Sequence, residues 1–307
     1  MRILIIGGGG FIGSNLAQYL LYRKYDVRIY TKNVVSQPLN CTYYYGDLLE
    51  EGRLLELLQD IDAVVYLISY SSPKSSMENS EAVYSKEIPS LLKVLEACLK
   101  SGVKRVVYAS SGGTIYGNID DAGLEDEETW PLCHYAVGKL TCEKILFIYN
   151  SIYGMENISL RISNPYGLGQ TFSGGIGAVT IFSQQIMRGE PITVYGDGSI
   201  VRDFLNVKYV SQAFERSLQW SFDPKITPIF NIGSGVGISL SQLISILSDI
   251  IGKPAKVNYH PRRPYDVLYN CLDIRKAKAI LGYIPPADLK TELRNYVITL
   301  MESGGAM

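Results

Sequence analysis

Long apolar runs are missing from this 307-residue chain. No stretch approaches the roughly 18 residues a membrane-spanning helix needs, so a bilayer is not an expected partner. Net charge is missing as well. With 29 Lys and Arg against 30 Asp and Glu the formal charge is −1, which leaves no basic stripe for nucleic acid. The five cysteines, Cys41, Cys98, Cys133, Cys142 and Cys271, form no CxxC or Cys/His ligand spacing, so a metal is not expected. Their odd number suits buried free thiols in a reducing compartment. The first strand pattern begins at residue 1 without a signal-peptide layout, and the cytoplasm is the expected location. Repeats and low-complexity tracts are also lacking. What remains is an ordinary globular composition, 47% hydrophobic and 19% charged, long enough for a large core and a second lobe.

The most informative segment comes first. The apolar run Ile3–Ile6 delivers Gly7-Gly8-Gly9-Gly10-Phe11-Ile12-Gly13 to the start of a helical pattern. Glycines at Gly7, Gly10 and Gly13 allow a tight turn, close approach of a diphosphate and close packing of helix on strand. The helix N-terminus adds free N–H donors and a positive dipole end. A dinucleotide is the expected guest, with Phe11 and Ile12 opening the helix beneath it. Further along, Val27–Tyr30, Thr42–Tyr45, Ala63–Ile68 and Arg105–Ala109 read as short buried strands, with helices near 14–23, 50–59, 85–101 and 135–150. This alternation predicts an α/β fold with a doubly wound parallel (Rossmann) sheet and a smaller C-terminal α/β substrate lobe. The loops after residues 6, 30, 45, 68 and 109 should then converge on one crevice. Regular spacing fails after Arg161, where Gly167-Leu-Gly-Gln170 and Ser173-Gly-Gly-Ile-Gly177 mark loops before a helix at 178–188. The expected division is 1–166, with 203–233 returning, for the cofactor, and 167–202 with 234–307 for the substrate.

Catalytic chemistry is expected around Tyr135-Ala-Val-Gly-Lys139. An i, i+4 pair shares one helix face, where the Lys139 ammonium favours the Tyr135 phenolate and lowers its pKa. The preceding polar loop, Ser110-Ser111-Gly112-Gly113-Thr114-Ile-Tyr116-Gly117, offers hydroxyls to polarise a substrate carbonyl beside that tyrosine.

With these elements in order, the chain resembles the extended short-chain dehydrogenase/reductase family, in particular nucleotide-sugar epimerases, 4,6-dehydratases and 4-keto reductases. Further marks of the resemblance are Gly46-Asp47, Arg161-Ile-Ser-Asn164-Pro-Tyr-Gly, Val201-Arg202-Asp203-Phe204, Phe230-Asn231-Ile-Gly and Arg262-Arg263-Pro-Tyr-Asp266. The resemblance implies that Asp47 binds the adenine and Lys139 the nicotinamide ribose, with Leu48 and Leu67 beside the cofactor. It implies that Asn164, Arg202 and Arg263, with Asp266, grip the diphosphate and sugar of the substrate, where arginine forks match phosphate oxygens. It also implies a homodimer, because relatives pair two helices per chain into a four-helix bundle. Helices 85–101 and 135–150 carry surplus apolar residues for this, among them Leu91, Leu92, Val94, Leu95, Leu140, Ile145, Leu146 and Ile148.

Several positions depart from the family pattern. Thr31 stands where NAD-binding relatives carry an acid, and Lys32 follows it, so NADP(H) is favoured and NAD(H) is the alternative. Gly112 replaces a common serine or threonine, leaving Ser111 or Thr114 as the hydroxyl partner of Tyr135. Glu87 and Pro89 stand where relatives often carry asparagines. The expected reaction is reduction of a dTDP- or other NDP-4-keto-6-deoxyhexose in polysaccharide sugar biosynthesis. The alternative is a UDP-hexose (glucose or N-acetylglucosamine) 4-epimerase with tightly bound NAD. Gly113-Thr114 replaces the Asp-Glu pair of dehydratases, and intact Tyr135, Lys139, Arg202 and Arg263 argue against a non-catalytic sensor.

Overall fold

The computed structural model describes residues 1–170 and 177–302, so the expected loop at 173–176 lies outside the described residues. Its first half alternates strand and helix: β1 (Arg2–Ile6), α1 (Phe11–Tyr22), β2 (Asp26–Thr31), β3 (Thr42–Tyr45), α2 (Leu54–Leu57), β4 (Ala63–Tyr66), α3 (Pro73–Glu78), α4 (Ile88–Ser101), β5 (Arg105–Ser111), α5 (His134–Tyr153) and β6 (Ile158–Ile162). There follow β7 (Asn164–Tyr166), α6 (Ala178–Arg188), β8 (Pro191–Tyr195), β9 (Val201–Asn206), α7 (Val207–Gln219), β10 (Ile229–Ile232), β11 (Gly237–Ser239), α8 (Leu240–Ile251), β12 (Lys256–His260), β13 (Tyr269–Asn270) and α9 (Leu289–Glu302).

Seven parallel strands form the main sheet in the order β10-β6-β5-β4-β1-β2-β3. This is the doubly wound α/β fold that the alternation predicts. Both faces of such a sheet are covered, which is why its strands read as unbroken apolar runs. Successive side chains point to opposite faces. Ile3 and Ile5 accordingly enter one core with Leu16 and Leu20 of α1 and Phe214 of α7, while Leu4 and Ile6 enter another with Leu54 of α2, Leu91 and Leu95 of α4 and Leu146 of α5. The chain reverses direction of travel at β1, which lies between β2 and β4, so the loops after β1 and β4 part and open a crevice there.

A third core joins Phe182 of α6, Leu243 and Leu247 of α8 and Leu293 and Val297 of α9. Strand β9 carries β7, β11 and β13 in a small sheet, and β8 pairs with β12. Leu272, Ile274, Ala277, Leu281 and Tyr283 turn back onto the first core. No helix among the described residues is long and apolar enough to cross a membrane.

Two helices differ from their sequence patterns. The one expected at 50–59 is confined to Leu54–Leu57, because the Glu51 carboxylate accepts both the backbone N–H and the guanidinium of Arg53, holding a turn where the helix would begin. The one expected at 85–101 is α-helical only from Ile88, and a π-helical turn, Val83–Glu87, precedes it. Pro89 has no N–H for the carbonyl one turn back, and a wider turn accommodates that loss.

Candidate active site

The turn between β1 and α1 is shaped by close approaches. Gly7 has φ of 90°, in the region that favours glycine, and a Cβ on Gly13 would lie 2.5 Å from the Gly7 carbonyl oxygen. Gly10 differs: a Cβ there would meet only that same oxygen, at 3.5 Å. The protein's own packing does not demand glycine at position 10, and its lack of a side chain leaves the backbone there open to an outside group. The first turn of α1 has no side-chain cap, so its N–H donors are available to an anion. These features fit the diphosphate of a dinucleotide. Phe11, Ile12 and Leu67 are half-buried around the turn and Leu48 is buried. Leu67 is held in place by a bond from its N–H to the Ile6 carbonyl, 2.9 Å.

Two of the expected cofactor residues, Lys32 and Asp47, meet each other. Lys32 Nζ lies 2.8 Å from Asp47 Oδ2, and this bond holds the Asp47 carboxyl below its ordinary pKa. The lysine assigned to a 2′-phosphate and the aspartate assigned to adenine are therefore paired with each other. Thr31 is buried, and its hydroxyl packs so close to the turn that a Cβ on Gly9 would lie 2.5 Å from it.

Tyr135 and Lys139 share a face of α5, with Lys139 Nζ 5.5 Å from the Tyr135 ring centroid and 5.0 Å from that of Tyr108 on β5. Lys139 is also ion-paired: its Nζ lies 2.8 Å from Glu87 Oε1, and both side chains are buried. Burial opposes the Lys139 charge, but Glu87 and Tyr135 outweigh it and raise the lysine pKa. The expectation that Lys139 leaves Tyr135 with a lowered pKa is overturned. Burial comes first in raising the phenol, the pull of Lys139 comes second, and Glu87 pushes back against that pull.

The adjoining hydroxyls divide by strand alternation. The Ser111 hydroxyl favours the Tyr135 phenolate and lies 2.9 Å from the Thr114 hydroxyl, so both candidates are beside Tyr135. Ser110 points the other way and donates to Glu143 at 2.5 Å. The glycine at 112 has a packing reason: a Cβ would lie 2.5 Å from Leu272 Cδ1 and 2.9 Å from the Arg161 carbonyl oxygen.

The substrate candidates are linked to this loop through Asn270, which spacing does not reveal. Asn270 Nδ2 donates to the Gly112 carbonyl at 2.8 Å, while Asn164 Nδ2 donates to the Asp203 carbonyl at 3.1 Å and to Asn270 Oδ1 at 3.4 Å. Arg202 pairs in register with Asn270 and donates to the carbonyls of Val201 and Val267. Burial lowers its pKa, Asp266 opposes that, and Arg263 adds to it. Among the described residues Arg202 makes no ion pair. Arg263 forks onto Asp266 through two 2.9 Å bonds and lies 4.5 Å over the Tyr195 ring. Asn270, Tyr195 and Glu87 are site residues to which the sequence assigned no role; of these Glu87 alone carried a signal, as a departure from the family pattern.

A doubly wound sheet that presents a capless glycine turn, a Tyr-xxx-Lys pair and a serine–threonine hydroxyl pair defines a dinucleotide-dependent enzyme of the extended short-chain dehydrogenase/reductase class. The model of the NAD dependent epimerase/dehydratase family matches residues 3–233, and the chain belongs to that family. It is 30% identical over 295 residues to the dTDP-4-dehydro-6-deoxyglucose reductase of Escherichia coli, covering 92% of each chain. Among solved structures it is similar to a Thermotoga maritima UDP-glucose 4-epimerase with UDP-glucose (TM-score 0.92, 30% identity, 99% of each chain). A Thermus thermophilus UDP-glucose 4-epimerase in complex with NAD is also similar (TM-score 0.90, 29% identity, 98% of this chain and 99% of that one).

Proposed function

We propose that this protein is an NAD-dependent 4-epimerase of a UDP-hexose. The observation that carries the choice over a reductase is the Lys32–Asp47 pair: it engages the cation on which a preference for NADPH rested. The NAD and UDP-glucose carried by the two epimerase structures support the same choice. NAD, held at the glycine turn, would supply reversible hydride chemistry toward sugar C4. Tyr135 takes the C4 hydroxyl proton and gives it back, and Ser111 with Thr114 polarises the C4 oxygen. Lys139 orients the cofactor ribose. Arg202 and Arg263 neutralise the substrate diphosphate, and Asn164 helps to position it. In this reading 167–202 and 234–307 form the nucleotide-sugar lobe.

The test is incubation with UDP-glucose and separation of the products, together with identification of the dinucleotide that co-purifies. UDP-galactose formation without net cofactor consumption, with NAD retained, is the expected result. NADPH consumption on an NDP-4-keto-6-deoxyhexose, without interconversion of UDP-hexoses, would put the reductase first. Thr31, which offers no carboxylate to a ribose hydroxyl, and the reductase relative favour that second reading. We also propose a homodimer through α5, whose Phe147, Ile148, Ile152 and Tyr153 are at least half exposed. Light scattering should report twice the 34.1 kDa chain mass.

A further inference from the structure

Hydride transfer with a tyrosine base needs a nearby cation, and nothing in that chemistry calls for a buried anion beside the cation. Glu87 is such an anion. The π-helical turn that precedes Pro89 ends on Glu87, whose side chain is buried against Lys139. The Ser69 hydroxyl donates to its two oxygens at 3.2 and 3.0 Å, the Tyr70 N–H donates at 3.3 Å, and the Lys139 ammonium sits at 2.8 Å. Four contacts thus fix the carboxylate, and three of them come from the loop after β4 that borders the crevice. Burying two charges costs desolvation that their attraction does not reliably return, so stability alone is a weak reason for this pair.

The groups around Lys139 make Glu87 distinctive. From α5 it meets Tyr135 and Cys142, from β5 Tyr108, and beyond that Tyr66 on β4; Tyr70 stands beside Glu87, and Cys133 acts on Tyr135. Burial holds the Tyr66, Tyr108, Cys133 and Cys142 groups in their neutral forms. The Lys139 charge is therefore balanced by Glu87 rather than being available in full to Tyr135.

We propose that Glu87 is a positioning residue that acts through Lys139: it offsets the lysine charge, keeps Tyr135 a phenol in the resting site and so sets the pH at which Tyr135 exchanges its proton. Only the turnover arm of the test rests on the proposed function. The proton moves between Tyr135 and the sugar oxygen, and Glu87 neither gains nor loses one. In the epimerase the rising limb of the pH profile reports Tyr135 acting as base, and in a reductase the falling limb reports it acting as acid. Loss of Glu87 moves either limb in one direction, to lower pH.

The experiment is a carbon NMR titration of full-length protein labelled at tyrosine Cζ, with the Tyr135 signal assigned by its loss in Tyr135→Phe. In Glu87→Gln the Tyr135 titration should fall by about one pH unit or more, and Glu87→Asp, which keeps the charge, should stay near wild type. The Tyr135 limb of kcat/KM should move with it. A Glu87→Gln titration that superimposes on wild type, or an equal shift in Glu87→Asp, overturns the proposal. Should Glu87→Gln fail to fold, the double variant Glu87→Gln/Lys139→Met decides. Recovery of folding supports charge balance, and failure means Glu87 serves packing. A wild type that turns over no nucleotide sugar while the Tyr135 shift persists refutes the proposed function and leaves the Glu87 role standing.

Discussion

Two buried ion pairs flank α5 and have opposite surroundings. Glu143 and Arg161 meet at 2.8 Å, with further bonds from Ser110 to the carboxylate and from the guanidinium to the Tyr116 hydroxyl and the Glu125 carbonyl. Tyr116 in turn donates to Asn231 on β10. This pair ties α5, β5, β6 and β10 together on the side away from Tyr135. Glu87 and Lys139 meet at the same distance, but Lys139 faces Tyr135, the residue proposed to move a proton. In the proposed reading the same chemistry is structural in one place and electrostatic in the other, and the neighbour decides which.

The sharpest break in the comparison comes from Glu143→Gln. Arg161 would be left buried and uncompensated, at a cost of about 3–5 kcal/mol in unfolding free energy, measured by denaturant titration. The Tyr135 limb of any residual pH profile should stay where it is; a moved limb would erase the distinction between the pairs. Next in size is Tyr135→Phe. It should lower turnover by on the order of 10² or more, with unchanged stability and cofactor affinity. Near-normal turnover would take the proton role away from this side of α5.

Cations at the substrate end extend the comparison. Arg202 lacks the carboxylate fork that Arg263 has in Asp266, so Arg202→Ala removes a charge left free to pair with the proposed substrate diphosphate. Its KM for the nucleotide sugar should rise roughly tenfold or more, equivalent to about 1.4 kcal/mol or more, with a smaller effect on kcat. Steady-state kinetics with unchanged KM would remove Arg202 from the diphosphate. The smallest effect belongs to the exposed pair. Lys32→Ala should change stability by about 0–1 kcal/mol and alter NAD affinity little, by calorimetry. A large selective loss of NADPH binding would restore the phosphate-pocket reading.

Much of the site is local in sequence and was legible there. The glycine turn, the i, i+4 placement of Tyr135 and Lys139, the hydroxyl loop and the strand–helix alternation follow from backbone geometry over a few residues, whereas the division of Ser110 from Ser111 needed β5 to run on past Ala109 to Ser111. What Lys139 does to Tyr135 was not legible. An i, i+4 rule registers two side chains on one helix, while a pKa sums every charge and all lost solvent around the group.

The sequence by itself thus determined the doubly wound fold, the glycine turn and the placing of Tyr135 and Lys139 on one helix face, because each is set by periodicity or by the steric freedom of glycine. Tertiary structure alone decided the partners. Glu87 reaches Lys139 from a π turn, Lys32 closes on Asp47 across two neighbouring strand ends, and Leu272 comes back from the C-terminal part to occupy the space beside Gly112. Each contact joins segments whose meeting depends on how the whole sheet and its helices pack, and charge in a buried site is governed by such meetings.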